Sequence, residues 1–151
     1  MKGVYVFVYK IKSGSHIKAD PQRAGEMLER LEAENNLTAK ALVDANRDED
    51  APLHNEFEWN DSIAAEAYRE NQARHIINCI EIVREEKEPV RAFFSISRAE
   101  PEYHHVDAIM KEEDKRQALL KQALSELVAF ERKYRQLEEL AAVFAAIDEV
   151  A

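Results

Sequence analysis

Residues 52–77 read PLHNEFEWNDSIAAEAYRENQARHII and contain the only tryptophan of the chain, two histidines and a helical pattern behind a proline. Asparagine and aspartate favour helix N-caps, because their side chains accept hydrogen bonds from the free amides of the first turn. Asn60 and Asp61 therefore predict a long helix from Ser62 to about Cys79. Helical spacing predicts which side chains face inward and which face elsewhere. The inward set is Ala65, Tyr68, Gln72, Ile76 and Cys79, and the other set includes Arg69, Glu70 and Arg74.

Two helices and a strand are predicted before this segment. Asp20-Pro21 marks the start of the first helix, because the aspartate accepts from free amides and the proline lacks an amide that would have no partner there. That helix ends at Asn35-Asn36, and Thr38 caps a second helix that reaches Asn46. Val4 to Tyr9 is β-branched or aromatic at every position, which predicts a strand.

A β-hairpin is predicted directly after the long helix. Two apolar runs, Ile80–Val83 and Val90–Ile96, flank a charged tip at 84–89. Runs of this composition on either side of a polar turn are typical of a hairpin. The strand at Val4–Tyr9 could add a third member to this small antiparallel sheet.

Three helices are predicted in the C-terminal third of the chain. They are a short one at 106–110, a long one from Glu112 to Tyr134 and a last one from Leu137 to Val150. Apolar side chains recur at core spacing on the long helix: Leu120, Ala123, Leu124, Leu127, Phe130 and Tyr134. We expect one mostly helical α+β domain over 1–151, with a helix-turn-helix-like core and hairpin in 1–97 and a helical part in 98–151.

Charge and cysteine content limit the function classes. The 151 residues hold 21 Lys and Arg against 30 Asp and Glu, and the net charge of -9 opposes non-specific attraction to nucleic-acid phosphates or anionic lipid. Cys79 is the only cysteine, which excludes an intramolecular disulfide. The apolar run near the N-terminus is too short for a bilayer span. We expect a cytoplasmic protein with no membrane partner.

Three helices followed by a two-stranded ribbon is the order of elements in winged DNA-binding domains. We therefore predict that this half binds nucleic acid through a local set of basic and polar residues. Acidic residues on the same helices, among them Glu66 and Glu70, would repel phosphate. The alternative is three packed helices with a mixed solvent face. The candidate contacts are Arg69, Arg74, His75, Asn71, Lys40, Arg47, Lys10, Lys12 and Lys18.

A metal or acid–base site is a weaker possibility. His54 and Glu58 stand four residues apart, which would place both on one face of a helix. His75, His104 and His105 are the further candidate ligands, and the alternative is surface or hydrogen-bonded histidines. The chain has no H-E-x-x-H motif, glycine-rich phosphate loop or serine-nucleophile motif. We expect no cofactor and no enzymatic activity.

Trp59 and the C-terminal leucines each allow two interpretations. An indole before a helix start either staples that start to the core or stacks on a base or a partner, and we favour the staple. The apolar residues of the last helices either form an internal core or cover a partner. Long helices beside an apolar edge strand favour a homo-oligomer, most simply a dimer.

The segment from Pro52 to Arg74 resembles a known block. Its residues match PLHxxFEWxDxxAAxxYRxxQAR, which is found in small, uncharacterised proteins of bacteriophages and prophages. The resemblance implies a phage or prophage gene product that acts inside a bacterial cell. We expect a non-enzymatic accessory protein that binds DNA, or a DNA-processing protein. The alternative is a homo-oligomeric helical adaptor, and the third candidate is a metal-dependent hydrolase.

Overall fold

The computed structural model describes residues 6–97 and 102–151. Its contacts divide the chain into two compact units, Met1–Val106 and Asp107–Ala151. The expectation of one domain, with an internal change after residue 97, stays a prediction. The mostly helical α+β fold class is confirmed, since helices form most of the secondary structure beside small antiparallel sheets.

The first two helices begin where their caps predict. Helix α1 spans Pro21–Ala33, and the Asp20 carboxylate accepts from the Arg23 amide at 2.9 Å. Helix α2 spans Ala39–Ala45, and the Thr38 hydroxyl accepts from the Ala41 amide at 3.0 Å. Local side-chain chemistry is sufficient for both starts.

Helix α3 spans Glu66–Cys79, so the predicted start at Ser62 is wrong. The Asn60 side chain accepts from the Ser62 amide at 3.0 Å and closes a turn outside the helix. Asp61 does not cap the helix either, because its carboxylate pairs with Arg69. A short polar side chain that bonds its neighbouring backbone competes with helix formation, which delays the helix to Glu66.

The predicted inward face of α3 is only partly correct. Ile76 and Cys79 are buried as expected, but Tyr68 is 54% exposed and Ala65 is also exposed. Arg69, which was expected to face elsewhere, is 3% exposed. The helix therefore turns an arginine inward and a tyrosine outward.

Helices α2 and α3 pack together but are joined by a twenty-residue connection, 46–65. The two helices of a helix-turn-helix are joined by only about 3–4 residues. The predicted order of three helices and a hairpin is present, and the tight turn between the second and third of these helices is not.

The first unit contains a three-stranded antiparallel sheet, and its central strand follows α3 without a loop. Strand β2, Ile80–Arg84, lies between β1, Val8–Ile11, and β3, Lys87–Arg91. The predicted third strand is confirmed, although β1 ends at residue 11 rather than 9 and residues 4–5 lie outside the described residues.

The predicted second hairpin strand, Val90–Ile96, is divided between two sheets. After β3, strand β4 at Phe93–Ser95 pairs with β5 at Tyr103–His105 in a separate two-stranded sheet. The change of sheet places Phe93, which is fully buried, in the main core.

The core of the first unit lies between the three helices and the sheets. Its fully buried large side chains are Leu28, Leu37, Leu42, Val43, Asn46, Leu53, Ile76, Ile77, Ile80 and Phe93. Strand β1 approaches α1 closely at Gly25, where an added Cβ would lie 2.1 Å from Cγ of Tyr9. Only glycine fits this contact without displacing the tyrosine.

The second unit is helical. Helix α4, Val106–Lys111, begins at the boundary between the units and is followed by α5, Glu113–Tyr134. A 3₁₀ turn, Glu138–Leu140, leads into α6, Ala141–Val150. Phe144 and Ile147 of α6 are buried, and the Phe130 and Phe144 rings lie 6.4 Å apart. The predicted helices are confirmed to within a few residues.

Candidate functional site

Arg69 is the centre of a polar network rather than an exposed contact. Its Nε donates to the Glu58 carbonyl oxygen at 2.8 Å, and its Nη1 donates to Glu66 at 2.9 Å. Its Nη2 pairs with the Asp61 carboxylate, and the side chain is only 4% exposed. Every nitrogen of the guanidinium therefore has a partner within the chain.

Arg47 joins the same network from the end of α2. Its Nη2 donates to Glu66 at 2.7 Å, and its Nε donates to Asp44 at 3.0 Å. Glu66 thus bridges the two arginines. Hydrogen bonds from Arg47 and then Arg69 lower the pKa of Glu66, and the hydrogen bonds to Asp61 and Glu66 raise the pKa of Arg69 and of Arg47, respectively. Both arginines are paired with carboxylates.

Trp59 packs inside this network. The guanidinium carbons of Arg47 and Arg69 lie 5.6 and 5.4 Å from the centre of its ring. Its indole nitrogen donates to the His54 carbonyl oxygen at 2.8 Å, and its ring stacks on His54 with centroids 5.1 Å apart. The centroids of the Trp59 and Phe57 rings lie 5.6 Å apart, but the indole does not precede a helix cap as expected. Its neighbours are those of a structural residue.

Asn46 anchors the start of the connection between α2 and α3, and it is not among the residues predicted for the site. It is fully buried, donates to the Leu42 carbonyl oxygen at 2.7 Å and accepts from the Leu53 amide at 2.9 Å. Its own carbonyl oxygen lies 2.8 Å from Nδ1 of His54. The signal that could have found it is its position directly after α2, where an asparagine can bond back to the last turn.

The proposed metal ligands are not assembled. His54 and Glu58 lie in and after a 3₁₀ turn, and His54 is bonded to Asn46. His105 is buried among aromatic rings, and the centroid of its ring lies 4.5 Å from that of Phe7. Over residues 6–97 and 102–151, no group of three or more His, Cys, Asp or Glu side chains is arranged to hold a metal ion. Burial raises the pKa of the Cys79 thiol, which favours an inert thiol at this position.

A cleft of about 390 Å³ opens along the outer face of α3. Asn71 and His75, two of the predicted nucleic-acid contacts, line it and are exposed. Tyr68 and His16, which are not among the predicted contacts, also line this cleft. We call this surface the α3 cleft; its remaining lining residues are Ile17, Glu56, Gln72 and Ile76.

The other predicted basic contacts are scattered. Arg74 donates to Asn71 at 2.8 Å and lies 3.9 Å from Glu70, and Lys10 lies 3.5 Å from Glu81. Three exposed lysines form no ion pair within the described ranges: Lys12, Lys18 and Lys40. Of the nine predicted contacts, the structure brings Asn71 and His75 together in the α3 cleft and uses Arg47 and Arg69 internally.

Helix α5 presents an apolar surface, for which the sequence allows either an internal core or contact with a partner. None of its 22 residues is buried. We define the α5 stripe as Leu120, Ala123, Leu127, Phe130 and Tyr134, all of which are exposed. Leu120 is 48% exposed and Phe130 is 42% exposed, so the first interpretation, an internal core, is wrong for these residues. The second interpretation, a face that covers a partner, stays a prediction.

No protein-family model, curated protein or solved structure matches this chain significantly. Within the described part of the chain, no helix combines the length and the apolar character needed to cross a bilayer.

Proposed function

We propose that this protein is a non-enzymatic, homo-oligomeric adaptor of phage or prophage origin that acts inside a bacterial cell. The C-terminal helices assemble the copies, and the N-terminal α+β unit presents the surface that binds another protein. The observation that carries the proposal is that α5 buries none of its 22 residues while exposing an apolar stripe.

An uncovered stripe of this kind is unfavourable in water. A helix gains most of its stability in a protein from packing an amphipathic face, and the hydrophobic gain is lost where that face stays wet. A helical unit of about 45 residues is near the size at which domains need oligomerisation or another staple. Covering the α5 stripe supplies the missing core.

The phage or prophage origin rests on the resemblance of the segment Pro52–Arg74. The network around Trp59 and Arg69 consists largely of residues of that block, and it holds the connection between α2 and α3 in place. In this proposal the block is a folding element, which is consistent with an adaptor and requires no catalytic chemistry.

Sedimentation velocity over a wide concentration range tests the proposal. We expect the wild-type chain to sediment as an oligomer, and Leu127→Glu to weaken association by about tenfold or more. Ser125→Glu is the matched control, because Ser125 is exposed on α5 and lies outside the stripe. A wild-type chain that is monomeric at every concentration contradicts the proposal.

Nucleic-acid binding is the second candidate, and the observation that favours it is the exposed Tyr68 beside Asn71 and His75 in the α3 cleft. An exposed aromatic ring flanked by polar groups is a stacking surface for single strands. The engagement of Arg47 and Arg69 with carboxylates removes the strongest phosphate-binding groups from this half.

Electrophoretic mobility shifts at low salt test this second function. We expect a salt-sensitive shift of a single-stranded probe that Tyr68→Ala reduces and the control Lys121→Ala does not. The absence of any shift with single-stranded or duplex probes removes the candidate.

A further inference from the structure

We propose that the partner of the α5 stripe is α5 of a second copy of this chain, paired in the antiparallel direction with Leu127 of each copy opposite Phe130 of the other. This inference rests on the proposed oligomeric function and names the geometry of its interface. Spacing, charge and side-chain size each support it.

The spacing of the stripe is that of a coiled-coil seam. Its members follow one another at intervals of three, four, three and four residues, from Leu120 to Tyr134. Apolar residues at alternating intervals of three and four form the a and d positions of a heptad, which pack against an equivalent seam on another helix. The stripe extends over about two heptads and is exposed along its length.

Helix α6 occupies the neighbouring face of α5 and leaves the stripe accessible. Glu131 of α5 lies close to Asp148 of α6, and the Phe130 ring lies 6.4 Å from the Phe144 ring at the edge of the stripe. The half-buried residues of this part of α5 are Leu124, Val128 and Glu131, none of which belongs to the stripe. The α5 and α6 pair can therefore accept a further helix on its apolar side.

Charges beside the seam select the antiparallel direction. Glu126 and Lys133 take equivalent flanking positions, one heptad apart, and Glu131 flanks the other side. In a parallel pair, Glu126 of one copy would lie beside Glu131 of the second copy, where like charges repel. In an antiparallel pair, Glu126 lies beside Lys133 of the second copy, and the two-fold axis repeats this favourable pair.

Side-chain size supports the same direction. A parallel pair would place Ala123 against Ala123 and Tyr134 against Tyr134, which leaves a gap in one layer and crowds another. The antiparallel pair places Ala123 opposite Tyr134 in two equivalent layers. Small residues opposite large ones fill a seam at the density of a protein interior.

Disulfide cross-linking between two cysteine variants tests the direction. Both variants, Glu126→Cys and Lys133→Cys, are made in a Cys79→Ala background that lacks the native thiol. We expect the mixture of the two to form a covalent dimer on mild oxidation. Each variant alone should run largely as a monomer in non-reducing denaturing gel electrophoresis. Efficient self-cross-linking of a third variant, Leu127→Cys, together with no product from the mixture, would show a parallel pair and overturn the inference.

A charge exchange gives an independent measurement. We expect Glu126→Lys alone and Lys133→Glu alone to weaken association in sedimentation, and the double variant to restore it. Circular dichroism of each variant establishes that the helices are intact. Single variants that associate like the wild type overturn the Glu126–Lys133 pairing. An oligomer without the expected cross-links contradicts only this geometry, whereas a monomeric wild type contradicts the proposed function as well.

Discussion

The guanidinium carbon of Arg69 lies 5.4 Å from the centre of the Trp59 ring. The same guanidinium bonds the Glu58 carbonyl oxygen and the carboxylates of Asp61 and Glu66. One buried cation thus holds the chain before α3 against the helix itself. This relationship turns the most distinctive segment of the sequence into a structural clamp, and it determines how substitutions there should act.

Trp59→Ala should destabilise the first unit. The indole is half-buried and loses its hydrogen bond to His54, so we expect a loss of about 2–3 kcal/mol, below the roughly 3–5 kcal/mol of a fully buried tryptophan. Urea unfolding followed by far-UV circular dichroism measures it. Trp59→Phe, which keeps an aromatic ring, should lose less than Trp59→Ala. A loss under about 1 kcal/mol for Trp59→Ala would rule out the structural role.

Arg69→Ala should lower the unfolding midpoint far more than Arg74→Ala. Removing Arg69 leaves the Glu58 carbonyl and the Asp61 carboxylate without this cation, and leaves Glu66 with Arg47 alone. The Arg74 side chain is 43% exposed and lies 3.9 Å from Glu70, so its ion pair contributes little. Arg69→Lys should recover only part of the loss, because an ammonium cannot reproduce the guanidinium fork. Equal midpoints for the Arg69→Ala and Arg74→Ala variants would contradict the clamp.

Two glutamates should give opposite pH dependences of stability. The lowered pKa of Glu66 means that its contribution is present at neutral pH and is lost as the pH falls through its folded-state pKa. Partial burial, followed by the hydrogen bond with Asp148, raises the pKa of Glu131, so its ionised form is unfavourable at neutral pH and the penalty disappears on acidification.

Comparison of Glu66→Gln and Glu131→Gln by denaturation at neutral and acidic pH measures this pair of effects. Glu66→Gln should destabilise the protein at neutral pH and have less effect in acid. Glu131→Gln should stabilise the protein at neutral pH, with the gain shrinking in acid. The same sign for both substitutions at neutral pH would contradict the two environments.

Gly25→Ala should destabilise the contact between α1 and β1. The new Cβ would lie 2.1 Å from Cγ of Tyr9, and overpacking of this kind costs about 1–3 kcal/mol. Glu26→Ala, at an exposed position on the same helix, is the control and should stay within about 0.5 kcal/mol of the wild type. An unchanged or raised stability of Gly25→Ala, measured by urea unfolding, would show that Tyr9 moves without cost.

The residues predicted for the site divide according to the range of their interactions. Asn71 and His75 could be selected from the sequence because both lie on the outer side of one helix, and they do line the α3 cleft. Arg69 was misassigned, because its burial depends on Asp61 and the Glu58 carbonyl, which reach it only when the preceding chain folds back. His16 joined the cleft from a distant loop that no local pattern connects to α3.

The sequence by itself determined the features that depend on neighbouring residues: the starts of α1 and α2 at Asp20 and Thr38, the mostly helical α+β composition and the hairpin. Cap and turn energies act within a few residues, so they can be predicted from local order. Only the tertiary structure decided that Arg69 is buried and that the apolar stripe of α5 is exposed. Both outcomes depend on which distant groups reach a given helix face, and helical periodicity predicts that a face is apolar without specifying what covers it.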